Sequence, residues 1–190
     1  MNSSYIEGEK FEGVDFAKEN LARGEYDRCT FTRCNFAEQS LDRLTFSECE
    51  FTECDLSMAK LGNSSFKDVK FKNCKLLGLR FDSCNSLLLS FSFDDCILNY
   101  SSFFKLKLKG TSFVNCKLHD VEFIEADLTN ARFEGCDLTR ATFENTILSG
   151  TDFRSAFNFS IDPEINKMKK AKFSTVGLAG LLDKYEIAIS

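Results

Sequence analysis

The sequence predicts an all-β chain, a right-handed quadrilateral parallel β-helix closed by a short C-terminal helix and strand. Three observations carry this reading. One apolar residue recurs every five positions, small residues recur two positions before it, and phenylalanine occurs 21 times while tryptophan is absent. A helix repeats every 3.6 residues and a strand every 2, so a strict period of five fits neither. A coil of four five-residue sides does fit, and its full turn is 20 residues.

The apolar series runs Ile6, Phe11, Phe16, Leu21, Tyr26, Phe31, Phe36, Leu41, Phe46, Phe51, Leu56, Leu61, Phe66, Phe71, Leu76 and Phe81. It resumes as Leu88, Phe93, Leu98, Phe103, Leu108, Phe113, Leu118, Phe123, Leu128, Phe133, Leu138, Phe143, Leu148 and Phe153. The step from Phe81 to Leu88 is seven, so two extra residues sit within 83–87 and divide the rod into blocks 6–85 and 86–156. Stacked coils would bury a continuous apolar column that no single coil can bury alone.

All nine cysteines fall at one position of the five-residue repeat, two residues before the inward one except for Cys84 at the interruption, with mostly Ala, Ser, Thr and Val, and once Leu106, sharing that slot in the second block. Steps of twenty place Cys34, Cys54 and Cys74 in one column and Cys96, Cys116 and Cys136 in another. Zinc sites need converging, closely spaced thiolates. These cysteines read instead as small buried hydrophobes, and neither a metal nor a cofactor is expected.

Residues 1–174 form the rod, in which 157–174 are expected to hold a loop around Pro163 and a final partial coil at Ala171-Lys172-Phe173. The tail, 175–190, reads as an amphipathic helix over 175–185 followed by alternating Ile187 and Ile189. An open coil end exposes rings and unpaired strand edges. The tail therefore either caps its own chain or pairs with a second copy. Leu178, Leu181, Leu182, Tyr185, Ile187 and Ile189 supply a face and an edge for an isologous dimer, the favoured reading.

Catalytic chemistry is not expected. The single histidine, His119, follows an inward Leu and should face outward, leaving no base for a nucleophile. No glycine-rich phosphate loop is present. With no export signal or membrane span, a cytoplasmic location follows as an expectation.

The net charge of −5 speaks against direct nucleic-acid binding. Residues 101–117 carry four lysines and no acid, whereas 118–166 carry ten acids against three arginines. Folded onto four faces, the register puts Glu122, Glu125 and Glu144 beside Phe123 and Phe143 on one side and leaves the other faces mixed. With Asp127, Glu134 and Asp137 these form the candidate acidic face, read either as ordinary solvated surface or as a mimic of nucleic acid. Lys167, Lys169, Lys170 and Lys172 read either as a phosphate-binding run or as a balance for neighbouring acids, the second being the favoured reading.

The stretch Ala126-Asp127-Leu128-Thr129-Asn130 followed by Ala131-Arg132-Phe133-Glu134-Gly135 resembles the pentapeptide repeat family pattern A(D/N)LXX. Within that family the chain looks most like the quinolone-resistance, or Qnr-type, proteins. The similarity lies in Glu7-Gly8-Glu9-Lys10, in Cys54 to Ala59, in Leu98 to Phe103, and in Leu178 to Leu182 before Ile187-Ala188-Ile189. The resemblance implies a non-catalytic rod, dimeric through its C-terminal ends, that engages DNA gyrase or topoisomerase IV. The alternative is a scaffolding rod with another protein partner. Many Qnr-type proteins project longer loops, whereas here only two residues are inserted.

Overall fold

The computed structural model describes residues 4–19, 21–87 and 89–188. Its regularity begins at the corners. Among the described residues, twenty-two non-glycine residues have φ between 50 and 64°, nearly all two positions after an inward side chain. A left-handed residue there turns the chain to the next side and points its N–H along the rod axis. Thus Arg33 N–H donates to the Thr52 carbonyl one coil on (2.9 Å), and Asn35 N–H donates back to Val14 (2.9 Å).

The result is a right-handed four-walled β-helix. Wall A begins with β1 (Ser4–Glu7), β3 (Gly24–Asp27), β5 (Thr45–Ser47) and β7 (Ser65–Lys67), all parallel. It continues as parallel bridges through Lys107, Asp127, Ile147 and Lys167. Wall B holds β2 (Lys10–Glu12), β4 (Thr30–Thr32), β6 (Glu50–Thr52), β8 (Val69–Lys72), β9 (Phe91–Asp94), β10 (Ser112–Val114) and β11 (Arg132–Glu134). Walls C and D are ladders of single bridges, one through Asp55, Lys75, Ile97, Lys117 and Asp137, the other through Ser102, Glu122 and Thr142.

Wall B carries an unbroken stack of nine phenylalanines from Phe11 to Phe173, with adjacent centroids 4.6–5.4 Å apart. Rings facing each other across the rod meet edge-on, as Phe113 of wall B and Phe123 of wall D do at 84°. Such pairs contribute roughly 0.5–1.5 kcal/mol each beyond area burial. The inward series is confirmed wherever it is described, save that Ile6, Phe11 and Leu21 of the first coil are half-buried. Leu88 lies outside the described residues. The Tyr26 hydroxyl, the one polar group in the series, donates to the Ala22 carbonyl at 2.7 Å.

The small slot has its own chemistry. Thr146, Thr151 and Ser101 hydroxyls each donate at 2.8 Å to a carbonyl of the preceding coil, and the buried thiols aim at the same carbonyls. A polar atom there is buried and satisfied.

Three expectations are corrected. The coil register of twenty holds through Asn85, whose N–H donates to the Ser64 carbonyl. The two extra residues are absorbed between Asn85 and Ser90, so Phe71 pairs Phe93 and Lys75 bridges Ile97. The offset of 22 joins the two cysteine columns into one column of six, from Cys34 to Cys136. Residues 157–167 do not leave the rod. Ile161 and Asn166 are buried, Phe159 turns in over Phe153 and Phe173, and Lys167 bridges Ile147 on wall A. Finally, the tail is not an α-helix but two 3₁₀ segments, Val176–Leu181 and Asp183–Tyr185. Gly177 and Gly180 are the reason it lies so close: a Cβ on Gly180 would meet the Phe159 carbonyl oxygen at 2.1 Å. Ile187 and Ala188 are not in a strand, and Ile189 lies outside the described residues.

Left-handed geometry strains a non-glycine residue by roughly 1–2 kcal/mol. Arg43 is exposed, with φ 62° and its N–H bonded to the Gly62 carbonyl. Arg43→Gly is expected to stabilise the rod by about 0.5–1 kcal/mol after the entropy of glycine is subtracted. Thermal unfolding checks this, with an expected rise of roughly 1–4 °C.

Candidate partner-binding surfaces

A solenoid wall leaves three outward positions per side, one before the inward residue, one after it, and the left-handed corner. Counting the six candidate acids through this register separates them. Glu122 and Glu144 stand on wall D in successive coils, with Glu125 at the corner beside them, all exposed. Asp127 is around that corner on wall A, Glu134 ends β11 on wall B, and Asp137 is on wall C. The single acidic face expected from sequence is therefore a strip of three carboxylates, with the other three on separate walls.

The strip is partly compensated, since Lys105 Nζ reaches Glu125 at 3.4 Å. Asp127 is held by Lys109 (3.3 Å) and by Thr129 Oγ1 (2.5 Å). Burial alone would raise its pKa, but the Thr129 and Lys109 contacts outweigh that and lower it.

His119 faces outward as expected, and its Nε2 lies 2.8 Å from Asp137 Oδ2. Asp137 also accepts from Thr139 N–H and Oγ1 and from Asn158 Nδ2. Partial burial raises its pKa, and these hydrogen bonds more than reverse that, bringing it down to about 2. The nine cysteines are all buried, and burial pushes the Cys49 and Cys84 thiols up to about 12, far from a reactive thiolate at neutral pH. No group of three or more His, Cys, Asp or Glu among the described residues is arranged to hold a metal ion. No helix among them is long and apolar enough to cross a membrane.

At the C-terminal end, Leu178, Leu182, Tyr185 and Ile187 are exposed, as a docking face requires. Leu181 is not part of it, because it packs inward against the core. Val176, 90% exposed, joins the face instead. The end is pinned by Lys184, bonded to Asp162 and Glu164 at 2.7 Å, and by the Tyr185 hydroxyl on Glu164.

One surface escaped the sequence reading. Met58 and Tyr100 at corner positions of wall C are 61% and 65% exposed, with half-buried Leu77 and Ile97 between them. The signal was available, as these are apolar residues at outward positions of the repeat. Of the two readings of the lysine run, the favoured one, balance of neighbouring acids, does not hold. Among the described residues, Lys167, Lys169 and Lys170 form no ion pair, and Lys172 reaches Asp152 only at 3.9 Å.

The sequence profile described as the pentapeptide repeat region matches residues 24–86 and 79–153. The chain belongs to the pentapeptide repeat family. Two solved structures of QnrB1, described as a plasmid-mediated fluoroquinolone resistance protein and both trypsin-treated variants, are similar over nearly the whole chain. One is 19% identical, with 99% of this chain and 98% of that one covered, at a TM-score of 0.64. The other is 21% identical, with 98% and 92% covered, at 0.55. HetL, a pentapeptide repeat protein involved in heterocyst differentiation regulation from Nostoc sp. strain PCC 7120, is 18% identical over 88% of this chain and 84% of its own, at 0.47. No curated protein matches the sequence. At these identities the likeness is one of fold.

Asp137 gives a pH test. Its folded pKa is depressed, so its contribution is full above the unfolded carboxylate value and disappears as pH falls from about 4 toward about 2. Asp137→Asn is expected to flatten that part of the stability profile. The difference from the parent, on the order of 1–2 kcal/mol at pH 5, should vanish near pH 2 in urea unfolding.

Proposed function

We propose that this chain is a non-catalytic, protein-binding rod that engages DNA gyrase or topoisomerase IV at a surface those enzymes use for DNA. The observation that carries the reading is the exposed strip Glu122, Glu125 and Glu144, held at coil spacing on a rigid wall. Duplex DNA presents about one negative charge per 1.7 Å of axis to a basic groove, and a stiff acidic wall competes for that groove without ordering cost. The full-length likeness to a fluoroquinolone resistance protein supports the same assignment. Protection by a long projecting loop is not part of the proposal, because the insertion here adds only two residues.

The second element is a two-fold dimer through the C-terminal end. Val176, Leu178, Leu182, Tyr185 and Ile187 are exposed there, and an interface that covers them gains roughly 25 cal/mol per Å² of apolar surface buried. Ile189, the last residue expected at this interface, remains part of the proposal.

A scaffolding role with a different protein partner is favoured by one observation, the apolar patch of Met58, Leu77, Ile97 and Tyr100, which a mimic of DNA does not need.

Gyrase supercoiling with a fluoroquinolone present is the direct test. Restored supercoiling that weakens in Glu122→Lys/Glu144→Lys supports protection through wall D. Inhibition without protection supports competition with DNA, and the absence of either effect at both low and moderate salt sinks the topoisomerase assignment. For the dimer, Leu178→Glu/Leu182→Glu should halve the mass by light scattering and leave the far-UV spectrum intact. A parent chain that is already monomeric would contradict it.

A further inference from the structure

The edge where walls A and B meet in the last two coils carries charge opposite to that of the molecule. Lys167 and Lys169 flank inward Met168, Lys170 occupies the left-handed corner (φ 63°), and Lys172 precedes inward Phe173. The register thus turns all four ammonium groups outward, and all four residues are exposed. Arg132 and Arg154 lie beside them on wall B. Against these six cations stand Glu134, Asp152 and, on wall A beside Thr129, Asp127; Asp152 is held by Arg154 at 2.7 Å and Asp127 by Lys109 at 3.3 Å. With Lys109 counted, seven cations face three acids, a surplus of four in a chain whose net charge is −5. The next coil of wall A offers no acid to neutralise it, only Ile147, Ser149 and Gly150.

We propose that this edge binds the phosphate backbone of a nucleic acid, without reading its sequence. Lys167 and Lys169 are two residues apart on one strand direction, about 6.6 Å, so both ammonium groups can face one phosphate-bearing strand at once. The surrounding outward residues, Thr129, Asn130, Ser149 and Gly150, are polar or lack a side chain, and Ile147 is half-buried. A protein partner would want apolar anchors at the centre of such a contact. Phosphates need only cations and polar donors. The acidic net charge, which argued from composition against nucleic acid, is carried by other walls. The edge is independent of the topoisomerase assignment.

The test uses the full chain and a labelled DNA duplex of arbitrary sequence, about two helical turns long, followed by fluorescence anisotropy in the absence of any topoisomerase. Binding with a dissociation constant of roughly 10⁻⁴–10⁻⁶ M, falling with salt at a log–log slope near −3 for three to four contacts, is the expected result. Lys167→Glu/Lys169→Glu/Lys170→Glu should weaken it at least about tenfold. The charge-matched control Lys60→Glu/Lys67→Glu/Lys70→Glu, on exposed residues elsewhere, should weaken it far less. Equal loss in both variants would reduce the effect to overall charge and overturn the proposal. So would the absence of duplex binding at about 50 mM salt, or binding to anionic vesicles in place of DNA.

Discussion

Most backbone hydrogen bonds of a coil go to the coil before or after it, and those that stay within the coil close the three-residue corner turns. This constraint governs the molecule. A five-residue side can place its donors and acceptors along the axis only if the corner residue adopts the left-handed conformation. Twenty-two non-glycine residues accept that strain among the described residues. Buried rings stacked at about the coil spacing, 4.6–5.4 Å on wall B, supply the compensating attraction. Neither part is stable alone. A single coil has no partner for its N–H groups, and an unstacked ring has no cover.

Because the constraint repeats, the inward face was legible in the sequence to the residue. Leu or Phe every fifth position leaves one solution, and the slot two residues earlier must be narrow because it sits where two walls meet. What the period did not reveal is how the stack behaves where it is broken. The seven-residue step could have dislocated the cysteine columns, and the three-dimensional pairing of Lys75 with Ile97 is what unites them. Phe91 makes the same point. It occupies the slot of Val69, too large for it by the repeat rule, and lies against Phe81 and Phe103.

The tail was less legible for a different reason. Leu178, Leu181, Leu182 and Tyr185 suit an α-helix, but Gly177 and Gly180 let the backbone descend onto Phe159, and a tighter 3₁₀ winding follows. Close packing against one ring thus overrode a periodic pattern only eleven residues long, too short to hold an α-helix by propensity. The rotation also moved Leu181 from the exposed face to the core. The acids were legible in part. The register already put Glu122, Glu125 and Glu144 on one side, whereas adding Asp137 to the same face ignored that fifteen residues separate it from Glu122, three sides of a four-sided coil, and so another wall.

In a solenoid the outward positions are decoupled from the core. Stability is set by inward residues and nearest-neighbour coils, so a wall can change charge from coil to coil at little cost, and each wall can do so independently. The chain uses this freedom to place carboxylates on wall D, an apolar patch on wall C and a cationic edge between walls A and B. Exposed charges on a single coil seldom stabilise a protein by more than about 1 kcal/mol, and Lys167, Lys169 and Lys170 have no acid within ion-pair reach among the described residues. Their like-charge repulsion is uncompensated within the molecule. A bound anion would relieve it, which is the physical reason for proposing a contact surface at this edge.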